Sequence, residues 1–221
     1  MSKTIGVVLS GCGAMDGSEI HESVCALLAI DQAGATAVCI APDKPQMHVV
    51  NHLAGEPEAG EKRNVLLESA RIARGKIRDL KSVSAENLDA VIFPGGFGAA
   101  KNLCTYATDG PDCTVDPQVA RLATEMIDAR KPIGAICIAP ALLARIAGEF
   151  KLHPKLTIGN DQQTAISIAK MGAEHCQCTV SEFVIDEKNK IVSTPAYMLA
   201  DRISEVYEGV RKLVDAVIKL T

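Results

Sequence analysis

Cys137 is the residue with the clearest chemical potential, and its setting carries the argument. It lies in Lys131-Pro-Ile-Gly-Ala-Ile-Cys-Ile-Ala-Pro-Ala-Leu-Leu-Ala144, between an apolar strand pattern and a helix opened by Ala139-Pro140. A cysteine on a strand-to-helix turn has the form of a nucleophile elbow, which lifts one side chain over the ligand-binding edge of a sheet. The helix N-terminus behind it is expected to stabilise a thiolate and lower the thiol pKa. The competing reading is a small buried hydrophobe, as most free cysteines are; the position directly after a strand favours the nucleophile.

Pro94-Gly95-Gly96-Phe97-Gly98 follows another apolar strand. Successive glycines let backbone N–H groups approach a reacting centre, so the Gly95, Gly96 and Phe97 amides, with Ile138 directly after the thiol, are candidates for an oxyanion and substrate pocket. The same glycines also suit a turn that needs positive φ. An acid or base beside the thiol could come from Glu19, His21 or Glu22, which open the first helix, or from His153 in Lys151-Leu-His-Pro-Lys155. Glu19 and Glu22 fall on one side of that helix, one turn apart, although acids suit helix N-termini without any catalytic role. His48 and His52 have i,i+4 spacing in a Pro-containing stretch and are expected at the surface.

Two weaker patterns carry less. Gly11 and Gly13 begin a dinucleotide fingerprint, but the third glycine, Gly17, comes one position late and Asp16 takes its place, the wrong sign of charge for a pyrophosphate. A tight turn explains the segment better, even with Asp43 available as a ribose-binding acid. His175-Cys-Gln-Cys178 hints at a metal, yet a structural zinc site needs four ligands and no second clustered pair exists. No metal and no cofactor is expected.

The elements that must position these residues alternate along the chain. Ile5–Leu9, Ala37–Ala41, Ala90–Phe93 and Ile133–Ile136 are short apolar runs expected as buried strands. Helical spacing marks 20–33, 64–74, 117–130, 138–147, 161–170 and 200–220, and Leu156–Ile158 reads as a further short strand. Phe183–Asp186 and Ile191–Thr194 flank a Glu187-Lys-Asn189 turn as a hairpin. Lys101–Asp116 is a polar loop too long for a simple connection, hence a candidate lid or interface. Four βα units and a hairpin describe one α/β domain over residues 1–221: a three-layer sandwich whose mostly parallel sheet has helices on both faces. Ligands then bind beyond the carboxyl ends of the strands, where Ser10–Gly17, Pro94–Phe97, Cys137 and Thr194–Tyr197 lie.

Composition narrows the function classes. The 221 residues are 48% hydrophobic and 23% charged, which excludes a disordered chain. A net charge of −4 leaves no basic excess for nucleic acid, and 3% aromatic residues leave too few rings for a base-stacking surface. The longest apolar runs contain Gly and Pro and are too short to span a membrane. The opening residues pass directly into a strand pattern, so a cytoplasmic protein is expected, with its eight cysteines as reduced thiols.

Pro94-Gly-Gly96 and the Ala135-Ile-Cys-Ile-Ala-Pro140 elbow resemble the ThiJ/PfpI superfamily, a branch of the class I glutamine amidotransferase-like fold. Leu9–Gly13, Asp16–Glu22, Ala41-Pro-Asp43, Pro94–Leu103 and Thr194–Met198 resemble, more narrowly, a bacterial branch described as glyoxalases. The resemblance covers nearly the whole chain. It implies a flavodoxin-like sandwich, a homodimer, and Cys137 as nucleophile. By position, Glu22 matches the buried glutamate that hydrogen-bonds the thiol, and His153 is similar in place to a histidine near the thiol in some members. The chain departs from the pattern where several members carry His directly after the nucleophile; here that residue is Ile138. No H-x-E motif occurs late in the chain, which disfavours glutaminase chemistry. The resemblance implies metal-free conversion of a small reactive dicarbonyl, glyoxal, to glycolate, with deglycation within the same chemistry. The rival expectations are a redox or stress sensor using the same thiol, and an accessory subunit that docks through Lys101–Asp116.

Overall fold

The structure is a computed structural model, and it describes residues 2–221. Its strands are β1 (Thr4–Val8), β2 (Thr36–Ala41), β3 (Val50–Asn51), β4 (Glu56–Pro57), β5 (Ile77–Asp79), β6 (Ala90–Phe93), β7 (Ile133–Ile136), β8 (Lys155–Leu156), β9 (Glu174–His175), β10 (Val184–Asp186) and β11 (Ile191–Thr194). Seven of them form one sheet in the order β10-β11-β7-β6-β1-β2-β5. Every pairing in it is parallel except the β10–β11 hairpin at one edge.

The helices are α1 (Ile20–Gln32), α2 (Val65–Ile72), α3 (Phe97–Lys101), α4 (Tyr106–Asp109), α5 (Pro117–Asp128), α6 (Ala139–Glu149), α7 (Gln162–Lys170) and α8 (Ile203–Lys219). Two apolar clusters, one on each side of the sheet, define the three layers. One joins Cys25, Ala26 and Ile30 of α1 and Val206, Val210 and Leu213 of α8 to Ile5 and Val7 of β1 and Ile92 of β6. The other joins Leu122 and Met126 of α5 and Leu142 and Ile146 of α6 to Val8, Val91, Phe93 and Ile133. Adjacent residues of a strand fall in opposite clusters because successive side chains point to opposite faces, and strands buried on both faces read as unbroken apolar runs. This is the flavodoxin-like α/β fold.

The chain runs outward from β1 through β2 to β5, then returns to β6 on the other side of β1. The loops after β1 and β6 therefore diverge, and the crevice at such a switch point is where open α/β sheets bind ligands.

Several elements differ from the sequence reading, among them the short pieces β3, β4, β9 and α3. The edge strand β5 was not expected; its three residues are half-exposed and carry no apolar run. The Leu156–Ile158 segment stays outside the main sheet, and β8 pairs instead with β9. Residues 101–116 are not one open loop. They contain α4 and a 3-10 turn at Gly110–Asp112, and a Cys104–Val115 bridge with Thr105 N–H donating to Thr114 O at 2.9 Å ties the ends together. The Gly11–Gly17 segment is a tight turn: Gly17 N–H donates to Gly13 O at 2.7 Å, and buried Asp16 accepts from Val50 N–H at 2.7 Å.

Candidate functional site

Strand β7 ends at Ile136, and the next residue, Cys137, has φ of +62° before α6 begins at Ala139. A left-handed conformation on a non-glycine residue is strained and persists only where its surroundings enforce it. Here the Cys137 N–H donates to Thr194 O at 2.9 Å, extending the β7–β11 ladder one step past the strand. The turn thus projects the side chain over the sheet edge, as the elbow pattern predicts.

The partner comes from α1. Glu19 caps that helix, its carboxylate accepting from Glu22 N–H at 2.7 Å. Glu22, on the first turn, points inward and is fully buried against the Cys137 thiol. Gly95 N–H donates to its Oε2 at 2.9 Å and Tyr197 N–H to its Oε1 at 3.2 Å. The approach works only because residue 95 is glycine: a Cβ there would sit 2.5 Å from Cys137 Cβ and 2.6 Å from Glu22 Oε2. Gly96 has a different reason, since its φ of +88° and a Cβ only 2.3 Å from Glu19 N both exclude a side chain.

Burial, and the charge of Glu19 behind it, push the Glu22 carboxyl up to about 8, against the pull of its two backbone donors and the thiol. Burial also pushes the Cys137 thiol well above its ordinary value, and an ionised Glu22 pushes it further; the Gly96 and Ile138 amides pull it down. This corrects the expectation of a thiol acidified by its helix. An enclosed, nearly apolar site costs a lone thiolate more than two amides return. At neutral pH the resting pair is a carboxylic acid against a thiol.

The oxyanion donors also need correcting. Of the expected residues Gly95, Gly96, Phe97 and Ile138, Gly96 and Ile138 direct their N–H groups to the sulfur and the other two do not. Gly95 N–H is taken by Glu22, and Phe97 N–H donates to Ala14 O at 2.8 Å. Ile138 therefore contributes its backbone where the family pattern often has a histidine. His153 is not brought to the thiol. It follows α6, whose 11 residues span roughly 16 Å. Its Nδ1 bonds Gly172 O at 2.7 Å, beside a separate groove bordered by Asp186 and Asn189. His48 is half-buried rather than a surface residue, while His52 is exposed and its Nε2 accepts from Met15 N–H at 3.2 Å.

Cys137 opens into a cavity of about 490 Å³. Phe97, Ala100, Ile138 and Met198 supply apolar walls, Tyr106 and Ala107 of α4 one side, and Thr164 of α7 with its capping residue Asp161 another. Glu19 and Tyr197 border it near Glu22. The contributions of α4 and α7 were not found from sequence. The only signal was the unexplained length of the 101–116 segment.

No protein-family model matches the chain. It is 48% identical over 226 residues to the human glutamine amidotransferase-like class 1 domain-containing protein 3, mitochondrial, covering 98% of this chain and 83% of that protein. It is 47% identical to the rat ES1 protein homolog, mitochondrial, covering 98% and 84%. A solved isoprenoid biosynthesis protein with an amidotransferase-like domain, from Ehrlichia chaffeensis, superposes with a TM-score of 0.91 at 38% identity, covering 99% of this chain and 100% of that one. A ThiJ/PfpI domain protein from Brachyspira murdochii superposes at 0.59 with 15% identity, covering 100% and 99%, a likeness of fold. Both curated relatives are named mitochondrial, which overturns the cytoplasmic expectation. Targeting segments are no part of the fold, so a strand pattern near residue 5 says nothing of compartment.

Proposed function

Since the chain belongs to the glutamine amidotransferase-like class 1 family, with its ThiJ/PfpI fold, we propose that it is a metal-independent glyoxalase acting through Cys137. The observation that carries the reading is the contact of a buried, neutral Glu22 with a strained Cys137 that lines a half-open cavity. A carboxyl poised near 8 exchanges protons in both directions around neutral pH, which addition followed by isomerisation requires.

In the form that lacks one proton, Glu22 accepts the thiol proton as sulfur bonds one carbonyl carbon of glyoxal. That proton passes to the carbonyl oxygen and gives a hemithioacetal; the Gly96 and Ile138 amides, which face the sulfur, are the donors at hand for the developing charge. Glu22 then takes the carbon-bound proton to form an enediol and returns it to the neighbouring carbon, while the hydroxyl proton moves to the second oxygen. The product is a glycolyl thioester on Cys137. Water cleaves it to glycolate and restores the thiol. No redox partner enters, because one carbon is oxidised as its neighbour is reduced.

The homodimer that the family implies is part of the proposal. Ile20, Val24 and Leu28 are 41, 49 and 44% exposed at i, i+4 and i+8 of α1, an apolar stripe on the helix that also carries Glu22, and this supports it.

The test is turnover of glyoxal to glycolate in the presence of a chelator, with Cys137→Ser and Glu22→Gln beside the wild type. Multiple turnovers, abolished in both variants, are expected. Consumption that stops after one equivalent would overturn the reading and leave Cys137 as a scavenging or sensing thiol.

A further inference from the structure

The glyoxalase reading leaves a thioester to be hydrolysed, and Glu22 is badly placed to activate the water. It is fully buried, both its oxygens accept backbone N–H groups, and its remaining contact is the thiol. Water must be activated from the open side of the cavity. Besides Cys137, four ionisable side chains line the cavity among the described residues: Glu19, Tyr106, Asp161 and Tyr197. Glu19 is committed to capping α1 through Glu22 N–H at 2.7 Å, and Asp161 to capping α7 through Thr164 N–H at 2.7 Å. Those hydrogen bonds hold Asp161 below the usual carboxylate range, which makes it a poor base.

Tyr197 differs in having a base attached. Its hydroxyl lies 2.7 Å from Nδ1 of His21, with the two rings 5.8 Å apart and tilted by 44°. Burial, and the charge of Glu19, keep the phenol above its ordinary pKa, so it holds its proton, and the imidazole, in the tautomer with Nδ1 unprotonated, accepts its hydrogen bond. His21 is exposed and can pass a proton to solvent. The placement follows from the local geometry. Adjacent residues on α1 are turned about 100° apart, so Glu22 faces the thiol while His21 faces out. Ala196, with φ of +44°, turns the chain after β11 so that Tyr197 gives its N–H to Glu22 and sets its ring at the cavity.

We propose that Tyr197 and His21 form a proton relay that activates the water for hydrolysis of the Cys137 thioester, an inference that rests on the glyoxalase reading. The water oxygen bonds the thioester carbon as its proton passes to Tyr197 Oη and the Tyr197 proton passes to His21 Nδ1. His21 releases a proton to solvent. The tetrahedral intermediate collapses with the C–S electron pair left on sulfur, and the acid proton of the nascent glycolic acid passes through Glu22 to that sulfur. Glycolate and the resting thiol remain.

The test uses the full chain with glyoxal, comparing wild type, Tyr197→Phe and His21→Gln. General-base assistance is typically worth about 10²-fold or more, and a kcat loss of that order is expected in both variants. The acyl-enzyme should accumulate, read as glycolohydroxamate when the reaction is quenched into hydroxylamine. Imidazole added during turnover should partly restore the variants' rate, because it supplies the missing general base without consuming the dialdehyde; a merely structural role would give no such rescue. Wild-type rates in the variants, or a loss with neither accumulation nor rescue, would overturn the relay and leave the glyoxalase reading intact. A wild type showing neither turnover nor hydroxamate would overturn the reading and the relay with it.

Discussion

The Glu22 carboxyl lies against the Cys137 thiol with the Gly95 backbone packed beside both, so that a single added methyl at position 95 would meet Cys137 Cβ at 2.5 Å and Glu22 Oε2 at 2.6 Å. Three segments far apart in the chain thus share one small volume. The tight fit keeps the carboxyl neutral and aims it, because Gly95 supplies a hydrogen bond to Oε2 while adding no bulk.

Gly95→Ala should therefore be more damaging than an ordinary glycine replacement. The methyl has rigid neighbours on both sides, so the carboxyl and the thiol must part. Overpacking of this kind costs about 1–3 kcal/mol in stability. Glyoxal turnover should fall at least about 10²-fold, since a misplacement of the order of 1 Å suffices for that. Paired denaturation and rate measurements check both; an alanine variant with wild-type turnover would contradict the packing argument.

The pH dependence follows from Glu22. Its folded pKa, about 8, is raised above an unfolded value of 4.5. The stability it contributes is fully present below about pH 4.5 and is lost progressively as pH rises to about 8. At 1.36 kcal/mol per pKa unit the loss amounts to up to about 5 kcal/mol. Glu22→Gln has no proton to lose there, so urea denaturation should show the variant gaining on the wild type across that window. Turnover should move the other way and rise with pH through about 8, as the form able to accept the thiol proton fills. A wild-type stability curve parallel to that of the variant would sink the assignment of a neutral Glu22.

His153→Ala should leave turnover within about twofold of wild type. The imidazole serves the turn after α6 through its bond to Gly172 O, and removing such a bond costs only about 1 kcal/mol. A large loss of kcat without loss of stability would restore His153 to the site.

Val24→Asp should give a monomer. It places a charge in the middle of the α1 stripe between Ile20 and Leu28, on a residue whose 49% exposure leaves the isolated fold unaffected. Light scattering on wild type and variant at the same concentration decides; a wild type that is already monomeric overturns the homodimer.

Local pattern alone dictates much of this protein. The apolar runs at Ile5–Val8, Ala90–Phe93 and Ile133–Ile136 bury both faces, so they show as strands without any partner being known. Likewise the order of strands and helices places Cys137 and Gly95-Gly96 at the ligand edge of a parallel sheet, because strand ends and the turns beyond them are local events. Tertiary structure alone chooses among residues of equal local standing. Glu19 and Glu22 stand one turn apart, yet one turns its carboxylate back to cap the helix and the other sends its carboxyl to Gly95 N–H and the thiol. Gly95, Gly96 and Phe97 are neighbours, but their N–H groups go to three different acceptors. His153 is close to Cys137 in sequence order and separated from it by a rigid helix, whereas Tyr197 is remote and lines the same cavity. Even the sign of the thiol's pKa shift follows from enclosure, which no short window of residues encodes. Periodicity reports which face of an element is buried; which side chains meet across the sheet edge depends on strand order, and strand order is a property of the whole chain.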